Sequence, residues 1–153
     1  MKRWFILLAM VPVQAGAVSV ILSKAPNSEL YLRVGSPGAT VDTVTFDVPM
    51  GALGNGQPIT GNPPVEVEAR LRAPPPKMPI AQLTVDSSSP LTSGSEALPF
   101  TEFSWTSSDT ADIPSGRFDG TASQLVAEIP PPQRHEATLT FQFDNDVVVG
   151  AGT

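Results

Sequence analysis

The amino-acid sequence predicts an all-β protein, an antiparallel β-sandwich of seven to nine short strands. Apolar residues recur at every second position, and no stretch follows the 3.6-residue period of an amphipathic helix. Clusters of glycine, proline and serine separate the apolar runs, as they do between the strands of a sandwich. A β-barrel requires the same alternation and is therefore the alternative architecture.

Two segments predict strands most clearly. In Val65–Arg72 four apolar residues alternate with four charged ones, which gives the strand one dry face and one wet face. Residues 136–143 repeat this pattern, with an apolar side chain at every odd position. Burial of each large apolar side chain stabilises the fold by roughly 1.5–3 kcal/mol. The prediction of the fold therefore rests mainly on these two strands.

The remaining strand candidates are shorter or less regular. In chain order they are Val18–Leu22, Glu29–Val34, Val41–Val48, Ile80–Val85, Phe100–Thr106, Thr121–Ile129 and Val147–Val149. Their alternation places Phe46, Leu83, Phe103 and Trp105 on the core face.

Residues 1–17 have the three-part layout of a secretory signal peptide. Lys2 and Arg3 form a basic head, and the apolar run Trp4–Val13 has only about half of the ~20 residues that a membrane-spanning helix needs. Small residues end the segment at Ala17, where we expect cleavage. Residues 18–153 then form a single domain, not embedded in a membrane, that is exported through the secretory pathway to the periplasm, the cell surface or the extracellular space.

The composition excludes several classes of function. Loss of Lys2 and Arg3 from nine basic residues leaves seven against fifteen acidic ones, a formal charge of −8 that disfavours nucleic acid as a partner. The chain contains no cysteine, which excludes thiol catalysis and cysteine-based metal sites. His135 is the single histidine, so a multi-histidine metal site is excluded as well. We expect neither a cofactor nor a metal.

No catalytic motif is present, and we predict that the protein is not an enzyme. His135 is the one candidate general base, but the sequence lacks Gly-x-Ser-x-Gly, and we expect His135 to be an exposed residue at the entry of a strand. The carboxylates at 109–112, Asp119 and 144–146 do not follow the calcium-loop spacing and are typical of turns. We assign no catalytic, cofactor-binding or metal residue.

Two further features have a simple structural interpretation. The glycine-rich segment Gly51–Gln57 lacks the lysine of a phosphate-binding loop, which favours a flexible connection between strands. Tyr31 and Phe100, together with Phe103 and Trp105, could line a sugar-binding platform. Phe103 and Trp105 share a face and are more simply core residues. A secreted carbohydrate-binding or other ligand-binding module is nevertheless the alternative function.

The sequence stops soon after its most regular strand, and residues 150–153 lead into no further strand. An immunoglobulin-like sandwich built this way would lack its last strand and keep an open edge. Three explanations stay open: the sequence is truncated, another chain fills the gap, or Val18–Leu22 folds back to cover it.

Four features carry a resemblance to a known family: the leader 1–17, the apolar segment Val18–Leu22, the segment Val41–Val48 and the terminal residues 139–153. In these features the chain resembles the secreted immunoglobulin-like subunits of bacterial fimbriae, which are assembled by a chaperone and an usher. The resemblance implies a structural or adhesive subunit of a surface pilus that joins like subunits by β-strand addition. It also implies a periplasmic chaperone as a partner. Many family members have a disulfide and a penultimate tyrosine, and this chain has neither.

Overall fold

The computed structural model describes residues 18–21, 28–38, 43–73, 79–93 and 95–148. The predicted leader 1–17 lies outside these residues. So do Leu22, Val41 and Val149, each of which belongs to a predicted strand.

The described residues form eleven β-strands and two 3-10 turns of three residues each. The strands are β1 (Val18–Ile21), β2 (Glu29–Val34), β3 (Ile59–Thr60), β4 (Val65–Arg72), β5 (Ala81–Val85), β6 (Leu91–Ser93), β7 (Glu96–Leu98), β8 (Phe103–Ser107), β9 (Gly116–Arg117), β10 (Gln124–Ile129) and β11 (Arg134–Phe143), and the turns span Met50–Ala52 and Phe100–Glu102. Every strand pair is antiparallel, which confirms the predicted all-β fold class.

The strands form two main sheets of unequal size. The small sheet has the order β1-β5-β10, and the large sheet has the order β2-β4-β11-β8-β9. Strand β3 also pairs with β11, beyond the end of β4, and β6 and β7 form a separate hairpin. Ten-residue β11 occupies the centre of the large sheet, where it pairs with β4 at one end and with β8 at the other.

The two main sheets pack face to face around a common core. Leu71 of the large sheet and Leu83 and Ile129 of the small sheet are at most 2% exposed and belong to the same apolar cluster. The dry face predicted for Val65–Arg72 is confirmed, because its four apolar residues are all buried. The architecture is therefore the predicted β-sandwich.

Aromatic side chains continue this core towards one end of the large sheet. The rings in mutual contact are Phe46, Phe100, Phe103, Trp105, Phe118, Phe141 and Phe143. Phe103 and Trp105 are 4% and 5% exposed, so their predicted place in the core is confirmed. A Cβ atom on Gly116 would lie 2.5 Å from the Trp105 indole, which explains why glycine is required there.

Some predicted strand boundaries are exact and others are wrong. Strands β2 and β4 have the predicted limits, whereas residues 43–48 form only one isolated bridge, between Thr45 and Asn62. Their burial still alternates as predicted, since Val44, Phe46 and Val48 are half-buried. Residues 147–148 form no strand, and β8 begins only at Phe103 because a 3-10 turn precedes it. Four strands of two or three residues were not predicted: β3, β6, β7 and β9.

Candidate functional site

His135 is buried, so the prediction of an exposed histidine is wrong. It lies in β11 at an odd position, on the core face that Ala137 and Leu139 also occupy. Its Nδ1 atom lies 3.2 Å from the carbonyl oxygen and 3.4 Å from Oδ1 of Asp112. The loop 108–115 therefore folds over the histidine, and its Ile113 is fully buried in the core.

The pairing of His135 with Asp112 has the form of a base and an orienting carboxylate, but its reactive nitrogen is closed off. His135 Nε2 is buried and has no hydrogen-bond partner within the part of the chain that the structure describes. A general base has to reach the proton it removes. The Asp112 carboxylate also accepts a hydrogen bond from the Glu136 N–H at 3.1 Å, so it holds the loop 108–115 against β11.

The hydroxyl groups of Ser108 and Ser115 form hydrogen bonds with backbone N–H groups. Ser108 Oγ accepts a hydrogen bond from the Thr138 N–H at 2.9 Å, and Ser115 Oγ accepts one from the Ser107 N–H at the same distance. The carboxylate of Asp109 accepts bonds from the Ala111 and Asp112 N–H groups. These contacts are the side-chain-to-backbone bonds expected of turn residues.

No group of three or more histidine, cysteine, aspartate or glutamate side chains that could hold a metal ion occurs among the described residues. Asp119 Oδ1 accepts bonds from the Thr121 N–H and hydroxyl, and Asp144 pairs with Arg117 at 2.6 Å. The turn interpretation of these carboxylates fits their contacts.

Glu102 and Asp146 form an acidic pair at one end of the sandwich. A hydrogen bond with the Asp146 side chain, partial burial and the negative charges of Asp146 and Asp144 hold the pKa of Glu102 above its ordinary value, despite the opposing charge of Arg117. A backbone hydrogen bond also joins the two segments, since the Asp144 N–H donates to the Glu102 carbonyl oxygen at 2.9 Å.

The raised pKa of Glu102 predicts a contribution to the free energy of unfolding that is present at acid pH and is lost as pH rises. Because the pKa of Glu102 is raised in the folded protein, its contribution is complete below the unfolded value and disappears as pH rises through the folded value. Asp146→Asn should raise the free energy of unfolding at neutral pH by about 0.5 kcal/mol, the scale of exposed charge interactions. Denaturant unfolding at a series of pH values measures this, and Asp47→Asn, at an exposed position, is the control. An equal gain in both variants would contradict the pairing.

A buried asparagine organises the glycine-rich loop, and sequence reasoning missed it. Asn145 is 0% exposed and has a φ of 57°. Its Oδ1 accepts from the Gly54 N–H at 3.1 Å, and its Nδ2 donates to the Ala52 carbonyl oxygen at 2.7 Å. Further bonds run from Nδ2 to Asn55 Oδ1 and to the Gln57 carbonyl oxygen. Segment 51–57 is therefore an anchored loop, not the flexible connection that its glycines predict.

Tyr31 and Phe100 do not form one aromatic platform. Tyr31 is 39% exposed on β2, and the guanidinium of Arg70 lies 5.8 Å from the centre of its ring. Phe100 instead packs against Phe103 and Phe118 within the aromatic core. Of the predicted sugar platform, Tyr31 is exposed, Phe100 is half-buried, and Phe103 and Trp105 are buried.

Charged side chains form a continuous ion-pair network on the outer face of β2, β4 and β11. Glu68 lies at its centre, 3.3 Å from Arg33 Nη2 and 2.7 Å from Arg134 Nε. Arg33 also contacts Glu66 at 2.9 Å, and Arg134 contacts Glu136 at 2.6 Å. Burial alone would raise the pKa of Glu68, but the hydrogen bonds from Arg134 and Arg33 outweigh it and lower that pKa. The network ties three strands together.

Comparisons with protein-family models, with curated proteins and with solved structures gave no significant match to this chain. Among the helices of the described residues, none has the length and apolar character needed to cross a membrane.

Proposed function

We propose that this protein is an exported, non-enzymatic structural or adhesive subunit of a bacterial surface appendage, with an immunoglobulin-like fold, and that copies join by β-strand addition. The observation that carries the proposal is the position of β1. This four-residue strand lies at the edge of the small sheet and pairs with β5 alone among the described strands. An edge strand near one end of the domain can be exchanged between copies without rebuilding the core.

The register of β1 indicates how the joint would work. Val18 lies opposite Val85, and Ile21 lies opposite Gln82, in an uninterrupted antiparallel ladder. Strand β5 has buried side chains at Ala81, Leu83 and Val85, so the strand that β1 borders is part of the core. A β1 strand from a second copy can form the same backbone hydrogen bonds to β5, because the two copies are chemically identical.

The non-enzymatic part of the proposal has its own support. The Nε2 atom of His135 is closed off, and the neighbouring serine hydroxyls bind backbone groups. Leader cleavage after Ala17 and a periplasmic chaperone as partner belong to the same proposal; the layout of residues 1–17 supports the first, and the resemblance to fimbrial subunits implies the second.

Cysteine cross-linking tests strand exchange directly, because the chain has no cysteine of its own. Ser19 and Thr84 lie opposite each other in the ladder, and paired antiparallel residues lie within the distance that a disulfide bridges. When Ser19→Cys and Thr84→Cys chains are refolded together and oxidised, we expect a disulfide-linked heterodimer on a non-reducing gel. Ser88→Cys, an exposed position outside the ladder, replaces Thr84→Cys as the control and should give none.

A deletion variant tests the exchange of β1 without a cross-link. Deletion of residues 18–23 should leave a folded domain that no longer assembles. If the two single-cysteine chains give no heterodimer, or if the deletion unfolds the monomer, β1 is an internal strand and the proposed joint is wrong.

A carbohydrate-binding module is the second candidate, and exposed Tyr31 beside Arg70 favours it. Sugars stack on exposed aromatic rings. Glycan titration that leaves the resonances of Tyr31 unchanged would remove this candidate.

A further inference from the structure

Four large apolar side chains are exposed on two short segments at one end of the sandwich. They are Met50, Leu53, Val147 and Val148, with exposures of 66%, 48%, 37% and 63%. Outside β1, the described residues contain seven exposed large hydrophobic side chains, and these four are more than half of them. Apolar residues that are scattered singly over a surface need no explanation, but a group on neighbouring segments marks an interaction site. We call these four residues the apolar patch.

The apolar patch is held in one arrangement by Asn145. Gly54 donates to Asn145 Oδ1 at 3.1 Å, and the Gly56 N–H donates to the Asn145 carbonyl oxygen at 3.0 Å. Val148 packs directly on Gly54, since a Cβ atom there would lie 2.5 Å from Val148 Cγ2. The segment that carries Met50 and Leu53 is therefore fixed to the segment that carries the two valines. A preorganised surface loses little entropy when a partner binds.

Among the residues that the structure describes, the carboxylates beside Val147 outnumber the cations in contact with them. Asp146 precedes Val147 in the chain, and the acidic group around it comprises Glu102 and Asp144 as well. Arg117 forms its ion pair with Asp144, at 2.6 Å. The hydrogen bond with Asp146, then burial, then the negative charges of Asp146 and Asp144 raise the pKa of Glu102, and a cation from outside would relieve the repulsion between these carboxylates.

We propose that the apolar patch is a docking surface for a protein segment that carries lysine or arginine side chains beside aliphatic ones. The aliphatic groups cover Leu53 and the valines, and the cations face Asp146 and Glu102. A second copy of this acidic chain would bring the same carboxylates to the same place, and like charges repel. The surface involves neither β1 nor β5, so it is independent of strand exchange.

The test is a titration of the isotopically labelled full chain with three synthetic peptides, followed by amide chemical shifts. A peptide of alternating lysine and leucine should shift the N–H signals of Gly54 and Gly56, and added salt should weaken binding. A lysine–serine peptide should bind more weakly, because it lacks apolar groups. A glutamate–leucine peptide should not shift these signals.

Two variants locate the binding surface. Leu53→Ser combined with Val148→Ser should weaken binding of the lysine–leucine peptide by about tenfold or more, given the apolar area that two such side chains contribute. Leu125→Ser, an exposed leucine on β10, is the matched control and should bind like the wild type.

Several results would overturn the proposal. Equal binding of the lysine–leucine peptide to the double variant would place it elsewhere, and equal binding of the glutamate–leucine peptide would remove the role of charge. Self-association of the free chain that the double variant abolishes would make a second copy the occupant. If the double variant does not fold, the three peptides on the wild-type chain still decide the matter, because the same two signals must respond most strongly to the lysine–leucine peptide and must not respond to the glutamate–leucine peptide.

Discussion

Phe143→Asp should destabilise the domain by at least about 4 kcal/mol, because it removes a core aromatic ring and places a charge among buried aromatic side chains. Phe143 is 7% exposed, and its ring lies 5.3 Å from that of Phe103 and 6.4 Å from that of Phe46. Small domains have total stabilities of roughly 5–15 kcal/mol, so the variant should lose most of its folded population under mild denaturant.

The adjacent residue supplies the control for this prediction. Gln142 is half-buried on the opposite face of β11, so Gln142→Asp should cost about 1 kcal/mol or less. Urea unfolding followed by tryptophan fluorescence measures both variants. Similar losses in the two variants would mean that the assignment of faces along β11 is wrong.

Asn145→Ala should destabilise the domain by about 3 kcal/mol, since it removes the four hydrogen bonds that this fully buried side chain makes with the loop. The loop carbonyl oxygens of Ala52 and Gln57 and the N–H of Gly54 all bind the Asn145 side chain. Alanine is also unfavourable at the positive φ that Asn145 adopts. Unfolding in urea and hydrogen exchange at Gly54 and Gly56 measure the global and the local effect.

Asn145→Gly separates the two contributions. Glycine adopts the positive φ freely, so this variant should recover about 1 kcal/mol of the loss while exchange at Gly54 stays fast. If the alanine and glycine variants are equally stable, the backbone conformation contributes nothing. If Asn145→Ala is as stable as the wild type, the side-chain hydrogen bonds do not anchor the loop.

Strands with strong alternation could be predicted from the sequence almost to the residue. The predicted segment Val65–Arg72 has the same limits as β4 in the structure. Its apolar and charged residues alternate, so one face of the strand must be buried and the other must face water. Residues 43–48 alternate as well, yet they pair only at Thr45. Alternation predicts which side chains are buried, whereas a partner strand depends on the tertiary arrangement.

The site residues show where sequence reasoning was incomplete. The odd positions of β11 form its core face, and His135 is at an odd position, so its burial followed from the pattern that identified the strand. Asn145 left a weaker signal, since asparagine tolerates positive φ better than most residues. Its contacts with Ala52 and Gln57 join segments that are far apart in sequence, and no local pattern reveals such contacts.

The central position of β11 has a consequence for how the chain folds. Its partner β4 lies about seventy residues earlier and β3 about eighty, and its other partner, β8, lies about thirty to forty residues earlier. Topologies dominated by such distant pairings fold slowly. The large sheet cannot be completed until Arg134–Phe143 has left the ribosome, so β2, β4 and β8 are synthesised before the strand that lies between β4 and β8 exists. Throughout that interval the earlier strands keep unpaired edges, and any machinery that handles unfolded polypeptides has the whole time of translation in which to act.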